Sequence, residues 1–262
     1  MATALITGGT SGIGAAFARQ LASEGVDLVL VARDAGRLKT VADELHAAAG
    51  IRVETLVADL ADRKDVAAVV ARIEDAERPL DIVINNAGSG VRAPLTTADV
   101  AVHEHAFEVM CRAILVIGGA AGRSMRGRGG RIINISSLQT YLATGSYAAI
   151  KAWVTAYSQS LAVELRGTGV TSTVVLPGWV RTEWHERAGG RSSLPGFLWI
   201  EPETVARVAL RDARRGRGVS IPSVRYRVLG WFARHLPLVL IRRISASISS
   251  TRSEPSAVTE KS

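Results

Sequence analysis

The sequence predicts an α/β fold, a doubly wound parallel sheet of about seven strands flanked by helices. Three observations carry that expectation. Short runs rich in Val, Ile and Leu alternate with longer Ala-rich stretches of helical period, the pattern of repeated βα units. The strand runs are apolar almost throughout, which suits strands covered by helices on both faces. A length of 262 residues fills one large α/β core but not two. The domain is expected over residues 1–222. A basic amphipathic extension follows at 223–250, and a polar tail with Ser, Pro and Glu at 251–262 is expected to be disordered.

The first strand, Ala2 to Thr7, runs into Thr7-Gly8-Gly9-Thr10-Ser11-Gly12-Ile13-Gly14, and a helix extends from there to Glu24. Glycines permit a tight turn and let backbone N–H groups approach a pyrophosphate, which the positive end of the following helix favours. The spacing differs from the G-x-G-x-x-G fingerprint, but the strand-to-helix junction is where that fingerprint acts. Thr7, Gly8, Thr10, Ser11, Gly12, Ile13 and Gly14 are therefore candidate dinucleotide-binding residues.

The second strand, Asp27 to Ala32, ends in Ala32-Arg33-Asp34. An acid near this point binds the ribose hydroxyls of NAD, whereas an Arg pairs with the 2′-phosphate of NADP. Ala32 stands where the acid is expected and Arg33 follows, so NADP(H) is favoured; Asp34 fits the N-cap of a helix over 35–49. The third strand, Arg52 to Ala58, ends at Asp59 and Leu60, within reach of the adenine, and a helix over 63–77 follows. The fourth, Asp81 to Asn85, opens into Asn86-Ala87-Gly88. There Ala and Gly leave room for a cofactor, and Asn side chains can stitch neighbouring strands. All of these segments lie at carboxyl ends of strands, where open α/β sheets bind ligands.

After a helix over 100–125, the fifth strand, Arg131 to Ser136, leads into Ser136-Ser137. On the next helix, 146–166, Tyr147 and Lys151 stand four positions apart and project from one face. A cation beside a phenol favours the phenolate, and is expected to lower a pKa of about 10 toward neutrality. The sixth strand, Thr171 to Leu176, ends in Pro177-Gly178; a helix over 202–214 and a short strand at 219–221 complete the domain.

In this order, the Thr7-to-Gly14 turn, Asn85 to Gly88, Ser136-Ser137, Tyr147-x-x-x-Lys151 and Pro177-Gly178 with Thr182 resemble the short-chain dehydrogenase/reductase family in its single-domain form, over about residues 1–222. The resemblance implies a Rossmann-like sheet and hydride transfer between NADP(H) and a ketone or aldehyde and its alcohol. It implies Tyr147 as general acid or base, with Lys151 lowering its pKa and holding the nicotinamide ribose. It implies Ser137 as hydrogen-bond partner of the substrate oxygen, with Ser136 the alternative, and Pro177, Gly178, Val180 and Thr182 beside the nicotinamide. A homo-oligomer is expected.

Two departures from the family pattern stand out. The interval from Ser137 to Tyr147 is ten positions, about three shorter than usual for the family, so the loop 138–145 must be tight. Met110 stands where the family often carries an Asn that shapes a proton-relay water chain, and a thioether cannot replace an amide's hydrogen bonds. Met110 thus motivates an alternative reading, a catalytically weak NADP-binding sensor or scaffold.

Trp179, Trp184, Phe197 and Trp199 cluster after Pro177-Gly178 and suggest either core or an apolar substrate pocket with a lid, for which Ala188-Gly189-Gly190 would supply flexibility. His46, His103, His105, His185 and His235 are scattered, and no metal site is expected. Cys111, the one cysteine, excludes an internal disulfide and fits a reducing cytoplasm. The first residues lack the charged and apolar regions of a signal peptide, and no uninterrupted apolar run reaches the roughly 18 residues of a spanning helix.

The net charge of +8 is not spread evenly: ten arginines against the single acid Asp212 lie between Val205 and Arg243. Within that span Val228, Trp231, Phe232 and Leu236 recur at helical spacing among Arg225, Arg227 and Arg234, and Pro237 interrupts the pattern. Such a helix can pack on its own domain or on a partner subunit, the reading slightly favoured, or lie on an anionic membrane surface. Nucleic-acid binding is not expected, because no recognised motif accompanies the charge.

Overall fold

In the computed structural model, which describes residues 2–91, 93–181 and 196–250, the strands are β1 (Thr3–Thr7), β2 (Asp27–Ala32), β3 (Val53–Val57), β4 (Ile82–Asn85), β5 (Gly130–Ile135), β6 (Val170–Val175) and β7 (Val219–Ser220). They form one parallel sheet in the order β3-β2-β1-β4-β5-β6-β7. The order reverses between β1 and β4, and this switch point opens a crevice at their carboxyl ends. The expected Rossmann-like doubly wound sheet is the observed one.

Strand residues alternate between two cores, as a period of two requires. Ile6, Leu28, Leu30, Ile84 and Ile133 pack on one side with Phe17 and Leu21 of α1 (Gly12–Ser23) and Val205 and Leu210 of α7 (Pro202–Arg214). Leu5, Val29, Val83 and Ile132 pack on the other with Val66 and Ile73 of α3 (Arg63–Ile73) and Leu161 of α6 (Ser146–Glu164). Edge strand β3 departs from the expectation of burial on both faces: it pairs only with β2, and Val57 is 54% exposed. Helix α3 also ends at Ile73 rather than near residue 77, because the Asp75 carboxylate accepts the N–H groups of Glu77 and Arg78 and turns the chain.

The expected helix over 100–125 is α4 (Ala101–Phe107) and α5 (Ala113–Met125) joined by a π-helical turn over Glu108–Arg112. By length and composition the run Ala101–Met125 could cross a membrane, but just over half of its apolar window is buried within the fold. The basic extension is two helices, α8 (Val224–His235) and α9 (Leu238–Ser250), so the chain resumes its helix beyond Pro237. Thr182, Trp184, His185, the Ala188–Gly190 segment and the tail 251–262 lie outside the described residues.

Candidate active site

Thr7 closes β1 against β4. Its hydroxyl accepts the N–H groups of Asn86 and Ala87 at 3.0 and 3.1 Å, while the Asn86 amide donates to Thr7 O and Gly8 O at 3.0 and 3.2 Å. The glycine turn is thereby braced from the neighbouring strand. Gly8 and Gly12 take φ of +66° and +51°, the left-handed region that disfavours side chains. A Cβ on Gly14 would fall 2.1 Å from Gly8 O and 2.5 Å from the Asn86 amide nitrogen, so helix α1 can start this close only on glycine. Ser11, the N-cap of α1, makes no side-chain cap bond, which leaves the first-turn N–H groups to solvent or to an anionic ligand. The turn therefore suits a pyrophosphate.

At the end of β2, Arg33 is exposed, and Asp34 caps α2 (Ala35–Ala49) by accepting Arg37 N–H at 2.9 Å, as expected. Arg37 carried no signal in the sequence beyond a solvated helix charge. Its guanidinium nevertheless reaches back to donate to Thr10 O at 3.0 Å, which sets a second cation beside the turn. Past β3, the Asp59 carboxylate accepts Ala61 N–H at 2.9 Å, and Leu60 turns its side chain into the core. Asn85 stitches β4 to β5 by donating to the Asn134 carbonyl oxygen at 2.8 Å.

The fold brings Ser137, Tyr147 and Lys151 together. The Ser137 hydroxyl, which accepts Gln139 N–H at 3.2 Å, stands beside Tyr147, and the Lys151 ammonium lies 5.5 Å from the centre of the Tyr147 ring while donating to Ile135 O at 2.9 Å. Geometry separates the two serines. The buried Ser136 hydroxyl donates to Lys151 O at 2.7 Å and lies 2.8 Å from the Thr155 hydroxyl, so it fastens β5 to α6. The short loop that links them is tight, as expected: Leu138–Tyr141 forms a 3-10 turn, and Gly145 takes φ of +95° before α6.

The expected lowering of the Tyr147 pKa is not what the structure gives. Burial pushes the phenol up to about 12, partly offset by the Ser137 hydrogen bond, and pushes Lys151 down to about 8. Desolvation of each charged form dominates: Ser137 offsets it only in part at Tyr147, and Cys111 only in part at Lys151.

Met110 sits on the π-helical turn, 1% exposed, in a cluster with Ala106, Cys111 and Ile150 against which Tyr147 packs. A Cβ on Gly88 would meet Met110 Sδ at 2.7 Å, so that glycine admits the thioether. Cys111 beside it is buried, which raises its thiol to about 11.

After β6, Pro177 O accepts Leu138 N–H at 3.0 Å, and Val180 is buried and bridged to Ile200. Tyr226 of α8, unremarked in the sequence, lies across this segment. Its hydroxyl donates to Leu198 O at 2.6 Å and accepts Trp179 N–H at 3.3 Å, and its ring fills the space where Gly178 would carry a Cβ.

Comparison with known proteins bears on the family and the fold. A family model described as short chain dehydrogenase matches residues 2–191. An uncharacterized oxidoreductase of Staphylococcus saprophyticus is 32% identical over 228 residues, spanning 86% of this chain and 96% of the relative. A short-chain dehydrogenase from Sphingobium yanoikuyae in complex with NADPH superposes with a TM-score of 0.80 at 32% identity, covering 100% of this chain and 99% of that one. The bulky-bulky ketone specific alcohol dehydrogenase from Comamonas testosteroni superposes with a TM-score of 0.77 at 28% identity, covering 98% and 96%. By motif order, sheet topology and matched span, the chain belongs to the short-chain dehydrogenase family of oxidoreductases.

Proposed function

We propose that this protein is an NADP(H)-dependent oxidoreductase that interconverts an apolar ketone or aldehyde and its alcohol. The observation that carries the reading is the Ser137, Tyr147 and Lys151 cluster beside a braced glycine turn at the carboxyl edge of the sheet. Thr7, Gly8, Thr10, Ser11, Gly12, Ile13 and Gly14 would hold the pyrophosphate. Arg33 and Arg37 would pair with the 2′-phosphate, Asp59 and Leu60 would flank the adenine, and Asn86, Ala87 and Gly88 would line the crevice. Pro177, Gly178, Val180 and Thr182 would border the nicotinamide, which supplies or takes the hydride when bound.

Tyr147 gives its proton to the carbonyl oxygen in reduction and takes it back in oxidation. Ser137 hydrogen-bonds the same oxygen as charge develops there. Lys151 anchors the ribose and holds positive charge near the phenol. With its pKa raised to about 12 before ligands bind, Tyr147 carries its proton at neutral pH and has it to give in reduction. Half-buried Trp179 and exposed Phe197 give an apolar substrate side chains to contact, and the NADPH and bulky-ketone relatives point the same way.

Exposed Phe107, Leu115 and Val163 on α4, α5 and α6 support assembly into a homo-oligomer. A buried, unpaired Cys111 supports a reducing, cytoplasmic setting. The second reading, a catalytically weak sensor or scaffold, is favoured by Met110 alone. The deciding experiment is NADPH consumption against a panel of apolar ketones and aldehydes: turnover supports the reductase, whereas tight NADPH binding without turnover supports the sensor.

A further inference from the structure

Half of the large apolar side chains that stand exposed among the described residues, nine of eighteen, fall between Val224 and Ile244. Their arrangement on α8 is ordered. Tyr226 and Gly230 are buried against the body, where Gly230 abuts Leu138 and Ile221. Val224, Val228, Trp231 and Phe232, spaced i, i+4, i+7 and i+8, form a stripe on the opposite face and are 65, 51, 58 and 54% exposed. At a helical turn of about 100° per residue, Arg227 and Arg234 flank one side of this stripe and Arg225 the other. Helix α9 is tied to the body through Ser245, whose hydroxyl accepts Ala143 N–H at 2.9 Å. It exposes Leu238, Val239, Leu240 and Ile244, together with Arg242 and Arg243. No Asp or Glu occurs from 224 to 250.

We propose that the outward face of α8 and α9 docks on an anionic lipid surface. An apolar stripe flanked by arginines lets the stripe enter the acyl boundary while the guanidinium groups stay at headgroup level. Packing on the body is already satisfied by the Tyr226 and Gly230 face. A two-fold pairing with a second copy through the same patch would set arginines against arginines with no acid to answer them. An anionic bilayer answers both the charge and the apolar area.

The docked face is also near the site. The Tyr226 hydroxyl accepts Trp179 N–H and donates to Leu198 O, so the docked helix is tied directly to the residues that follow Pro177 and Gly178. That an apolar substrate enters from the bilayer is a consequence resting on the proposed reductase function; docking itself does not depend on it.

The test is sedimentation of the full chain with vesicles of phosphatidylcholine alone or with about one-third phosphatidylglycerol. The proposal expects binding to the anionic vesicles, none to the neutral ones, and partial release by raised salt. A Trp231→Ser/Phe232→Ser variant should lose binding. An Arg227→Gln/Arg234→Gln variant, which leaves the Arg225 guanidinium on Phe197 O, should bind about 25-fold more weakly, at roughly fivefold per charge. Both should keep the thermal transition and NADPH affinity of the wild type, which separates loss of docking from misfolding. Absence of binding to anionic vesicles at low salt overturns the proposal, as does binding that neither variant weakens. A Trp231→Ser/Phe232→Ser variant that shrinks the oligomer of a chain that ignores vesicles assigns the face to a second copy instead.

Discussion

Lys151 lies one turn beyond Tyr147 on α6, with its ammonium 5.5 Å from the tyrosine ring centre and one of its three N–H donors on Ile135 O. Lys151 is thus held by β5 beside the half-buried Tyr147, and burial shifts both groups against ionisation.

That shift has a pH signature. Lys151 is lowered from 10.5 to about 8, so between those values the unfolded chain binds more protons, and stability rises with pH across that window. Tyr147, raised from 10.0 to about 12, acts with the opposite sign and only above its unfolded value: its contribution is full below about pH 10 and fades as pH climbs toward 12. The stability of wild type relative to Lys151→Met, from urea titrations, should therefore improve from about pH 8 to 10. A flat or falling difference contradicts the buried-cation account.

The two serines should part company. Ser136→Ala removes a buried donor to Lys151 O and should cost about 1 kcal/mol of stability. Ser137→Ala, beside Tyr147, should leave the fold intact and cut kcat by about 100-fold. Chemical denaturation and steady-state rates on both variants check this; a catalytic loss confined to Ser136→Ala reverses the assignment.

Arg33→Ala and Arg37→Ala should each weaken NADPH by about tenfold or more, the scale of a charge-assisted hydrogen bond, and leave NADH nearly unchanged. Fluorescence titration with both cofactors decides. Equal losses for the two would return Arg33 and Arg37 to the role of surface charges.

Met110→Asn places an amide in a cluster of Ala106, Cys111 and Ile150. It should lower stability by about 2 kcal/mol without raising kcat. A severalfold gain in kcat, with altered pH dependence, would instead show that the thioether limits proton delivery.

What was legible in the sequence is what backbone rules enforce locally. Strand ends, the glycine turn and the Tyr147–Lys151 spacing follow from periodicity and from the φ that Gly8 and Gly12 must adopt. The π-helical turn at Glu108–Arg112 left no mark, because its residues keep a helical apolar pattern whatever the hydrogen-bond register. The direction of the Tyr147 shift is not legible for a related reason: the neighbouring cation is visible in the spacing, whereas the desolvation that raises the phenol depends on how α6 packs. Tyr226 escaped notice since its partners, Gly178, Trp179 and Leu198, are brought to it only by the tertiary fold.

The most direct test of the central claim is Tyr147→Phe, assayed for NADPH oxidation on whichever carbonyl the wild type turns over. The account predicts a loss in kcat of about 100-fold or more with NADPH affinity nearly intact, the scale of losing a general acid. Wild-type turnover in the phenylalanine variant would contradict it.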